Sequence, residues 1–329
     1  MAENYILMTG ANGLIGRYVA RKLASQGDCR LVCILRGGDQ NPQAGLLVRE
    51  GALVVPGNFY DPAVIKKLFE QYRFRAVIHL AAIRGGGNAT PGEYQEVNVE
   101  GTKHLLREAF EHQSQKFIYC SSVGVHGTIP PEVPAAIEAP FRGDNQYHQS
   151  KIEAEEAVQS YIRKGLNAYI VRPAITYGTG DDGFPQALVS LVKKHLLWLP
   201  RKDHQIHLVD AERIAEVFSY LVANDVPTRR IFVAADIEPV ALKDLADWIH
   251  GDLYGRPYPA FLRLPDWIFR LAFQLFQSMK NEKWMARIAL LSNDWHYQCA
   301  DTYSVLGIQP VPTREAFGRF LRDIAIPPR

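Results

Sequence analysis

The chain has 329 residues, 47% of them hydrophobic, with 37 Lys and Arg against 35 Asp and Glu. This length and hydrophobic content predict one large α/β domain, or such a domain with a smaller lobe, and the net charge of +2 argues against a nucleic-acid-binding protein. The sequence has no long apolar run and no basic segment leading into one, so we expect no membrane span, no secretory signal and a cytoplasmic location.

The first half of the sequence alternates between apolar strands and helical patterns. The predicted strands are 5–8, 30–35, 52–55, 76–82, 116–122 and 168–173, and the predicted helices are 15–26, 61–71, 101–112 and 147–164. Strand–helix alternation predicts parallel βαβ units, and strands that are apolar throughout are typical of a sheet covered on both faces. We therefore predict an α/β fold with a doubly wound parallel Rossmann sheet.

After Tyr177 the pattern is dominated by helices. They are predicted at 184–195, 211–223, 241–251, 265–279, 282–291 and 313–325, with one further strand at 230–235 that returns to the sheet. We expect a Rossmann dinucleotide-binding domain from residues 1–177 and 206–235. A smaller, helix-rich C-terminal substrate-binding lobe is expected from residues 178–205 and 236–329.

The cysteine pattern gives no sign of a disulfide framework or a metal centre. The four cysteines, at positions 29, 33, 120 and 299, show neither Cys-x-x-Cys nor Cys/His zinc spacing. They predict free thiols in a reducing compartment. His204 and His207 lie in a segment that looks extended rather than helical, so we expect no metal site there.

The segment TGANGLIG, residues 9–16, lies directly after the first strand and directly before the first helix. Gly10 allows a tight turn, Gly13 lets the backbone approach a pyrophosphate, and Gly16 permits close helix–strand packing. The helix start then presents free N–H groups and a positive dipole end to the anion. An ordinary glycine turn is the alternative, but the strand–loop–helix order favours dinucleotide binding.

The second strand ends at Arg36, which is followed by two glycines, with no acidic residue before Asp39. In dinucleotide-binding folds an acidic residue at this position holds the ribose 2′-hydroxyl, whereas an arginine accommodates a 2′-phosphate. Arg36 therefore favours NADP(H), and NAD(H) is the alternative cofactor.

The segment QYHQSK, residues 146–151, places Tyr147 and Lys151 four residues apart at the start of a predicted helix. Residues at this spacing share one helix face, and this face continues as an apolar stripe that includes Ala154 and Val158. A lysine directed toward the core is costly unless it has a partner or a role. A chance helical pair is the alternative to a functional one.

Taken in order, these segments resemble the motifs of the extended short-chain dehydrogenase/reductase family, also called the NAD-dependent epimerase/dehydratase family. TGANGLIG is similar to TGxxGxxG, HLAA (79–82) to the fourth-strand signature, NVEGTKHLL (98–106) to the Nx2GTxxLL helix and SSVGVHG (121–127) to SSxxVYG. YHQSK is similar to YxxxK, VRPAITYG (171–178) to RPxxxYG, and IHLVDAERIAEVF (206–218) to the V-x-D-x-A helix start. The sequence departs from the family at His126, which replaces a tyrosine, and at Asn58, where aspartate is common.

The resemblance implies that Tyr147 is the general acid/base, that Lys151 lowers its pKa and holds the nicotinamide ribose, and that Ser122 polarises the reacting oxygen. The positions that match the family's cofactor contacts are Gly10, Asn12, Gly13, Leu14, Ile15, Gly16, Arg36, Asn58, Phe59, Leu80, Ala81, Ala82, Asn98, Tyr147, Lys151, Pro173, Ala174 and Ile175. The positions that match substrate contacts are Arg84, Val123, His126 and Tyr177. The family also implies a homodimer formed by the helices near 101–112 and 147–164.

This sequence differs from the family's substrate motifs at several positions, and these differences favour some reaction types over others. Family dehydratases carry an acidic pair where this sequence has Val123 and Gly124, which cannot transfer protons. Epimerases of the family usually carry arginines at the positions where this sequence has Asp203 and Ser292. The diphosphate of a nucleotide sugar is poorly held without such cationic partners. We therefore predict an NAD(P)-dependent oxidoreductase that transfers hydride between nicotinamide C4 and a secondary alcohol or ketone, with a small-molecule substrate. A nucleotide-sugar epimerase that retains its cofactor is the alternative, and a non-catalytic dinucleotide-binding protein is a third possibility.

The segment LPDWIFRLAFQLFQSMK, residues 264–280, forms an amphipathic helical stripe of Leu, Ile, Phe and Trp. Its length and Arg270 exclude a membrane span. Three roles are open for it: packing within its own lobe, forming a wall of an apolar substrate pocket, and contacting a membrane surface.

Overall fold

A computed structural model describes residues 4–85 and 87–325 of the chain. The strands are β1 Tyr5–Thr9, β2 Arg30–Leu35, β3 Leu53–Pro56, β4 Phe74–His79, β5 Lys116–Cys120, β6 Ala168–Pro173, β7 Ile175–Tyr177, β8 Leu199–Pro200, β9 Gln205–Ile206, β10 Leu208–Asp210, β11 Ile231–Ala234, β12 Val240–Ala241 and β13 Arg263–Leu264. The α-helices are α1 Leu14–Gln26, α2 Ala44–Arg49, α3 Pro62–Gln71, α4 Pro91–Tyr94, α5 Gly101–Glu111, α6 Gln146–Arg163, α7 Phe184–Lys193, α8 Ala211–Ala223, α9 Leu242–Tyr254, α10 Asp266–Ser278, α11 Glu282–Ser292, α12 Ala300–Leu306 and α13 Thr313–Ala325. A π-helical turn, Gln95–Glu100, joins α4 to α5.

Seven strands form one parallel sheet in the order β11-β6-β5-β4-β1-β2-β3. The chain runs outward from β1 through β2 to β3, then returns to β4 on the other side of β1 and continues to β11. In doubly wound sheets, ligands bind outside the carboxyl ends of the strands where the strand order reverses, which here is between β1 and β4. This order confirms the predicted doubly wound parallel sheet.

The sheet is covered by helices that share its hydrophobic core. Strand residues such as Leu7 and Val77 form one buried cluster with Leu68 of α3, Leu105 of α5 and Val158 of α6. The strands β2, β4, β5 and β6 are buried along nearly their whole length. Burying each large aliphatic side chain contributes about 1.5–3 kcal/mol, so the apolar strand sequences account for the position of the core.

The described residues divide into two compact units. The first comprises the residues up to 125, 141–173 and 211–234, and it contains the seven-stranded sheet. The second comprises 126–140, 174–210 and the residues from 235 onward, and it contains α7 and α9 to α13. Residues 126–140, 174–177, 206–210 and 235 belong to the second unit, whereas the predicted Rossmann domain included them. The roles of cofactor domain and substrate lobe remain predictions for these units.

Several short elements were not predicted. In the second unit β7 pairs with β10 and β8 with β13 in parallel, and β9 pairs with β12 antiparallel. Two or three residues are too few to give a hydrophobic period, and α2 and α12, of six and seven residues, have fewer than two full turns. The longer helices lie within a few residues of their predicted bounds.

The remaining structural expectations concern cysteines, metals and membranes. All four cysteines are free thiols in this structure. Residues 4–85 and 87–325 contain no helix that is both long and apolar enough to cross a bilayer. The same residues contain no group of three His, Cys, Asp or Glu side chains that could hold a metal ion.

Candidate active site

The loop between β1 and α1 offers backbone groups to an anion. Helix α1 begins at Leu14, and its N-cap residue Gly13 makes no side-chain capping hydrogen bond. The first turn of α1 contains no acidic residue, and Asn12 and Gly13 are exposed. Free N–H groups and the positive end of the helix dipole are therefore available to bind a phosphate.

Two glycines allow this loop to pack closely. Gly10 has a φ of +75°, and a Cβ atom on it would lie 2.6 Å from the backbone nitrogen of Ala81, just after β4. A Cβ atom on Gly16 would lie 2.0 Å from the carbonyl oxygen of Gly10. Any side chain at these two positions would displace backbone atoms. These contacts agree with the tight turn and the close packing expected from the sequence.

The other positions predicted to contact the cofactor lie mostly at the carboxyl ends of neighbouring strands. Arg36 is exposed directly after β2, Asn58 and Phe59 are half-buried after β3, and Ala81 donates its N–H to the Thr9 hydroxyl at 3.2 Å. The remaining positions are Leu80 and Ala82 after β4, Pro173 at the end of β6, Ala174 between β6 and β7, and Ile175 at the start of β7. Because the strands are parallel, the loops after β1 to β4 meet at one edge of the sheet, where a dinucleotide binds in such folds.

Asn98 fixes the loop that follows β4. Its Oδ1 accepts the N–H of Ile83 at 2.7 Å, and its Nδ2 donates to the carbonyl of Ile83 at 3.0 Å and to the Ser150 hydroxyl at 2.9 Å. Asn98 is buried in the π-helical turn, a distortion that is frequent at functional sites. A direct cofactor contact by Asn98 would compete with these hydrogen bonds, so its observed contribution is to position the loop.

Helix α6 brings Tyr147 and Lys151 to the carboxyl end of β5. The side chain of Asn145 caps the first turn of the helix. The Lys151 ammonium donates to the carbonyl oxygen of Cys120, the last residue of β5, at 2.7 Å, and it lies 4.6 Å from the centre of the Tyr119 ring. Lys151 is only 3% exposed, so the inward lysine predicted from the sequence is present and is hydrogen-bonded.

Tyr147 is held as a neutral phenol. Burial of its hydroxyl raises the pKa to about 12, although a hydrogen bond with Ser122 and the charge of Arg84 act in the opposite direction. The lowering of this pKa expected from Lys151 together with an oxidised nicotinamide ring stays a prediction for the cofactor-bound protein. The Lys151 ammonium is directed to the Cys120 carbonyl, so burial determines the sign of the shift. Tyr147 is therefore protonated at neutral pH and able to donate a proton.

A buried ion pair supports the helix that carries Lys151. Arg172 on β6 donates to both carboxylate oxygens of Glu155, including Nε to Oε2 at 3.1 Å, and the Ser121 hydroxyl donates to Oε2 at 2.7 Å. Burial lowers the pKa of Lys151 to about 8, and the negative charge of Glu155 opposes that shift. No role was predicted for Glu155 or Arg172 from the sequence. The available signals were an acidic residue one turn after Lys151 and the arginine of VRPAITYG.

His148 fills the space beside Gly124. A Cβ atom on Gly124 would lie 2.6 Å from Nε2 of His148 and 3.2 Å from the Ser122 hydroxyl oxygen. The Nδ1 atom of His148 is 2.5 Å from a carboxylate oxygen of Asp144 and 2.8 Å from Nδ2 of Asn145. An imidazole held by a carboxylate at one nitrogen can exchange a proton at the other. No acid/base group was predicted at Gly124, and the position of His148 beside it, on α6, was not foreseen from the sequence.

The predicted substrate contacts are distributed over both units. In the first unit Arg84 is exposed and Val123 is buried. In the second unit His126 is buried, and so is Tyr177, whose hydroxyl donates to a carboxylate oxygen of Asp236 at 2.8 Å. A substrate contact by the Tyr177 hydroxyl would compete with that hydrogen bond, and the substrate role of these four residues remains a prediction.

The sheet and the strand-end loops together define a protein of the doubly wound, dinucleotide-binding class. The sequence model of the NAD dependent epimerase/dehydratase family matches residues 6–234. The chain therefore belongs to this family. The match ends with β11, the last strand of the seven-stranded sheet, and does not include the residues from 235 onward.

Curated relatives include UDP-glucose 4-epimerases. The enzyme of Bos taurus is 31% identical over 216 residues, which are 59% of this chain and 62% of the relative. The chain thus matches less than two thirds of that relative's length. The enzyme of Vibrio cholerae is 25% identical over 281 residues, 82% of each chain.

Solved structures show the same fold over nearly the whole chain. The crystal structure of gox2253 has a TM-score of 0.78 at 24% identity and covers 98% of this chain and 97% of that one. WbmG of Bordetella bronchiseptica, solved in complex with NAD and UDP, has a TM-score of 0.76 at 17% identity and covers 97% of this chain and 93% of that one. At these identities the likeness supports the fold.

Proposed function

We propose that the protein catalyses reversible hydride transfer between a nicotinamide cofactor and a secondary alcohol or ketone carbon. The observation that carries the proposal is the buried Lys151, hydrogen-bonded to the end of β5, with Tyr147 one turn before it and Ser122 hydrogen-bonded to the tyrosine. A fully buried lysine next to a half-buried tyrosine in one cluster is costly to fold, which is typical of a catalytic site.

Each side chain then has a distinct role. Tyr147, protonated at neutral pH, donates its proton to the oxygen of a ketone as that carbon receives hydride, and takes it back in the reverse direction. Ser122 donates a hydrogen bond to the same oxygen and stabilises its developing charge. Lys151 fixes the position of Tyr147 through α6 and is available to the cofactor ribose. The cofactor, when bound, supplies or accepts the hydride.

The cofactor is proposed to be NADP(H), with Arg36 beside the 2′-phosphate. The free N–H groups at the start of α1 would hold the pyrophosphate, and the exposed Arg36 would make a charge-assisted contact worth about 1.5–3 kcal/mol. Arg36→Ala should weaken NADP(H) binding and leave NAD(H) binding nearly unchanged. Arg30→Ala, at the opposite end of β2, is the matched control, and fluorescence titration measures both cofactors. Equal losses for the two cofactors, or tighter binding of NAD(H) by the wild type, would contradict the NADP(H) preference.

Net oxidation or reduction is preferred over epimerisation because of the charge near β8. Asp203 stands where epimerases of the family usually carry an arginine, and it forms an ion pair with Arg263 at 2.5 Å. Arg263 is thus paired with Asp203, and the arginine usual for a diphosphate is absent at position 203, although Arg201 and Lys202 lie beside it in the sequence. The second candidate is a nucleotide-sugar epimerase with retained NAD(P), favoured by the curated relatives, which are UDP-glucose 4-epimerases.

One experiment separates these candidates. The purified protein is assayed for cofactor content, then incubated with NADPH or NADH and panels of ketones, secondary alcohols and UDP-sugars, with nicotinamide absorbance and product analysis as readouts. An oxidoreductase converts one cofactor molecule per product. An epimerase co-purifies with cofactor and interconverts sugars without net cofactor turnover. A protein that binds cofactor but converts no substrate in any panel would contradict both proposals.

A homodimer through α5 and α6 is also proposed, by resemblance to the family. Phe110 on α5 is partly exposed, and its ring packs edge-on against the ring of Tyr161 of α6, with 5.7 Å between the ring centroids. This helix pair therefore exposes apolar surface that a partner could cover. Light scattering at micromolar concentration should give twice the chain mass, and a clean monomer would contradict the dimer.

A further inference from the structure

Helix α10 exposes a stripe of large hydrophobic side chains. Trp267, Leu271, Leu275 and Met279 follow one another at four-residue spacing and are all more than half exposed. Residues at this spacing lie along one side of a helix. Phe269 is the buried residue of this helix, so α10 packs on the second unit through another side and leaves this stripe uncovered.

Segments linked to α10 through α11, which packs on both α10 and β8, also expose large hydrophobic side chains. The pairing of β8 with β13 holds the segment that contains Leu196 and Trp198 beside the segment that contains Phe261. Helix α11 packs on α10, with the rings of Trp284 and Phe276 stacked at 5.5 Å. We define the apolar face as the exposed residues Leu196, Trp198, Phe261, Trp267, Leu271, Leu275, Met279 and Trp284. Soluble monomers rarely expose so many large hydrophobic residues on adjacent elements without an interaction partner.

The segments that carry the apolar face are rich in basic residues, although Lys202 is paired with Asp294 at 3.9 Å. The two segments that form it, 193–203 and 260–292, contain nine of the chain's 37 Lys and Arg but only three of its 35 Asp and Glu. One of those acids, Asp203, is paired with Arg263. The rest of the chain therefore carries more acidic than basic residues, and the positive charge is concentrated where hydrophobic residues are exposed.

This combination selects the kind of partner. A second copy of the chain bound through the same face would bring two cationic surfaces together, which costs free energy. An anionic lipid surface offers negative headgroups to Lys and Arg and an apolar layer to Trp, Leu and Phe. We propose that the apolar face docks the protein on anionic membranes, with α10 lying in the plane of the interface.

Vesicle co-sedimentation of the full-length protein tests this proposal. Wild-type protein should pellet with vesicles of phosphatidylcholine mixed with phosphatidylglycerol, bind vesicles of phosphatidylcholine alone much more weakly, and lose most binding in high salt. Trp267→Glu combined with Leu271→Glu should lower the partition coefficient by at least about tenfold. The double variant removes apolar area that would enter the membrane and adds two negative charges that the anionic lipids repel. The control is Val48→Glu, an exposed hydrophobic residue on α2 in the first unit, which should leave binding unchanged.

A charge-reversal pair tests the electrostatic part independently. Lys280→Glu combined with Lys283→Glu should lower binding to anionic vesicles by at least about tenfold, because each lysine near the surface contributes about 1 kcal/mol. Lys66→Glu combined with Lys67→Glu, on α3, is the matched control. Thermal melting confirms that each variant folds. Absence of wild-type binding at low salt, equal binding to neutral and anionic vesicles, or a wild-type oligomer that dissociates in the Trp267/Leu271 variant would each overturn the proposal.

Discussion

The first unit buries a hydrogen-bonded cluster of Lys, Glu and Arg, whereas the second unit exposes a row of large hydrophobic side chains on one helix. In the first, Lys151, Glu155 and Arg172 are at most 3% exposed and hydrogen-bonded. In the second, Phe261 and Leu271 are 77% and 58% exposed. Buried charge and exposed apolar area both cost free energy, so the proposals above assign the first to a catalytic site and the second to a partner surface.

The family match follows the same division. It covers the seven-stranded sheet and ends at residue 234, before most of the second unit. The residues that position the candidate chemistry are therefore matched ones, whereas most of the apolar face, from Phe261 to Trp284, lies outside the match. Each prediction below disturbs one side of this contrast.

The largest effect is expected from breaking the buried ion pair of the first unit. Glu155→Gln leaves the Arg172 guanidinium buried without its counter-charge, which should lower the free energy of unfolding by about 3–5 kcal/mol. Urea denaturation measures the change. Glu156→Gln, an exposed residue on the same helix, should be nearly neutral. If Glu155→Gln lowered the free energy of unfolding as little as Glu156→Gln does, burial of the Arg172 guanidinium would not require the Glu155 carboxylate.

The next largest effect concerns the loop after β1. Gly16→Ala places a Cβ atom 2.0 Å from the Gly10 carbonyl oxygen, so the loop or α1 must shift. We expect a loss of about 1–3 kcal/mol in stability and weaker dinucleotide binding, measured by urea denaturation and by cofactor titration.

The control for this prediction is Gly45→Ala in α2, where no atom lies within 4 Å of the new Cβ. Alanine favours the helix over glycine by about 0.5–1 kcal/mol, so this variant should be slightly more stable. If Gly16→Ala and Gly45→Ala changed the free energy of unfolding in the same direction and by similar amounts, the contact between Gly16 and Gly10 would not be the cause of the change.

A smaller loss of stability is expected when the pH is lowered, and it involves one buried histidine in each unit. Burial lowers the pKa of His79 to about 3, with a contribution from Lys151, and likewise that of His207, with a contribution from His296. In the unfolded chain histidine binds its proton near pH 6.5, so the unfolded state binds more protons than the folded state between pH 6.5 and 3. Stability should therefore fall as the pH is lowered through this window, by up to about 1.4 kcal/mol per pH unit for each histidine.

The measurement is urea unfolding at pH 7.5, 6 and 5. His79→Gln keeps a polar side chain between the hydroxyls of Thr9 and Thr102 and cannot titrate, so the loss of stability from pH 6 to 5 should be smaller than in the wild type. His112→Gln, at an exposed position, is the control. An unchanged pH dependence in His79→Gln would show that His79 is not the group responsible.

Much of the first unit could be predicted because its signals are local. TGANGLIG and the Tyr147–Lys151 spacing lie within single strand–loop–helix segments, and apolar strands alternate regularly with helices. The Glu155–Arg172 ion pair joins α6 to β6, and His148 reaches the space beside Gly124 from another element. Such contacts depend on how elements pack, which the spacing along the chain does not encode. The sign of the Tyr147 pKa shift also depends on burial and on where the Lys151 ammonium points.

The second unit was less predictable for a related reason. Its paired strands have two or three residues, too few for a hydrophobic period. The stripe of α10 was visible in the sequence, but amphipathicity alone does not say which side of a helix is covered. Only the exposed fractions of Trp267 and Leu271 separate a packed face from an open one.

The central claim, that Tyr147 exchanges the proton during hydride transfer, is tested most directly by Tyr147→Phe. The variant keeps the ring and removes the hydroxyl, so kcat should fall by about 10²–10⁴ while cofactor affinity is retained. Tyr161→Phe, farther along α6, is the matched control and should turn over like the wild type. The assay uses the substrate found in the panel screen, with thermal melting to verify the fold. A folded Tyr147→Phe protein with kcat within a few-fold of wild type would contradict the account.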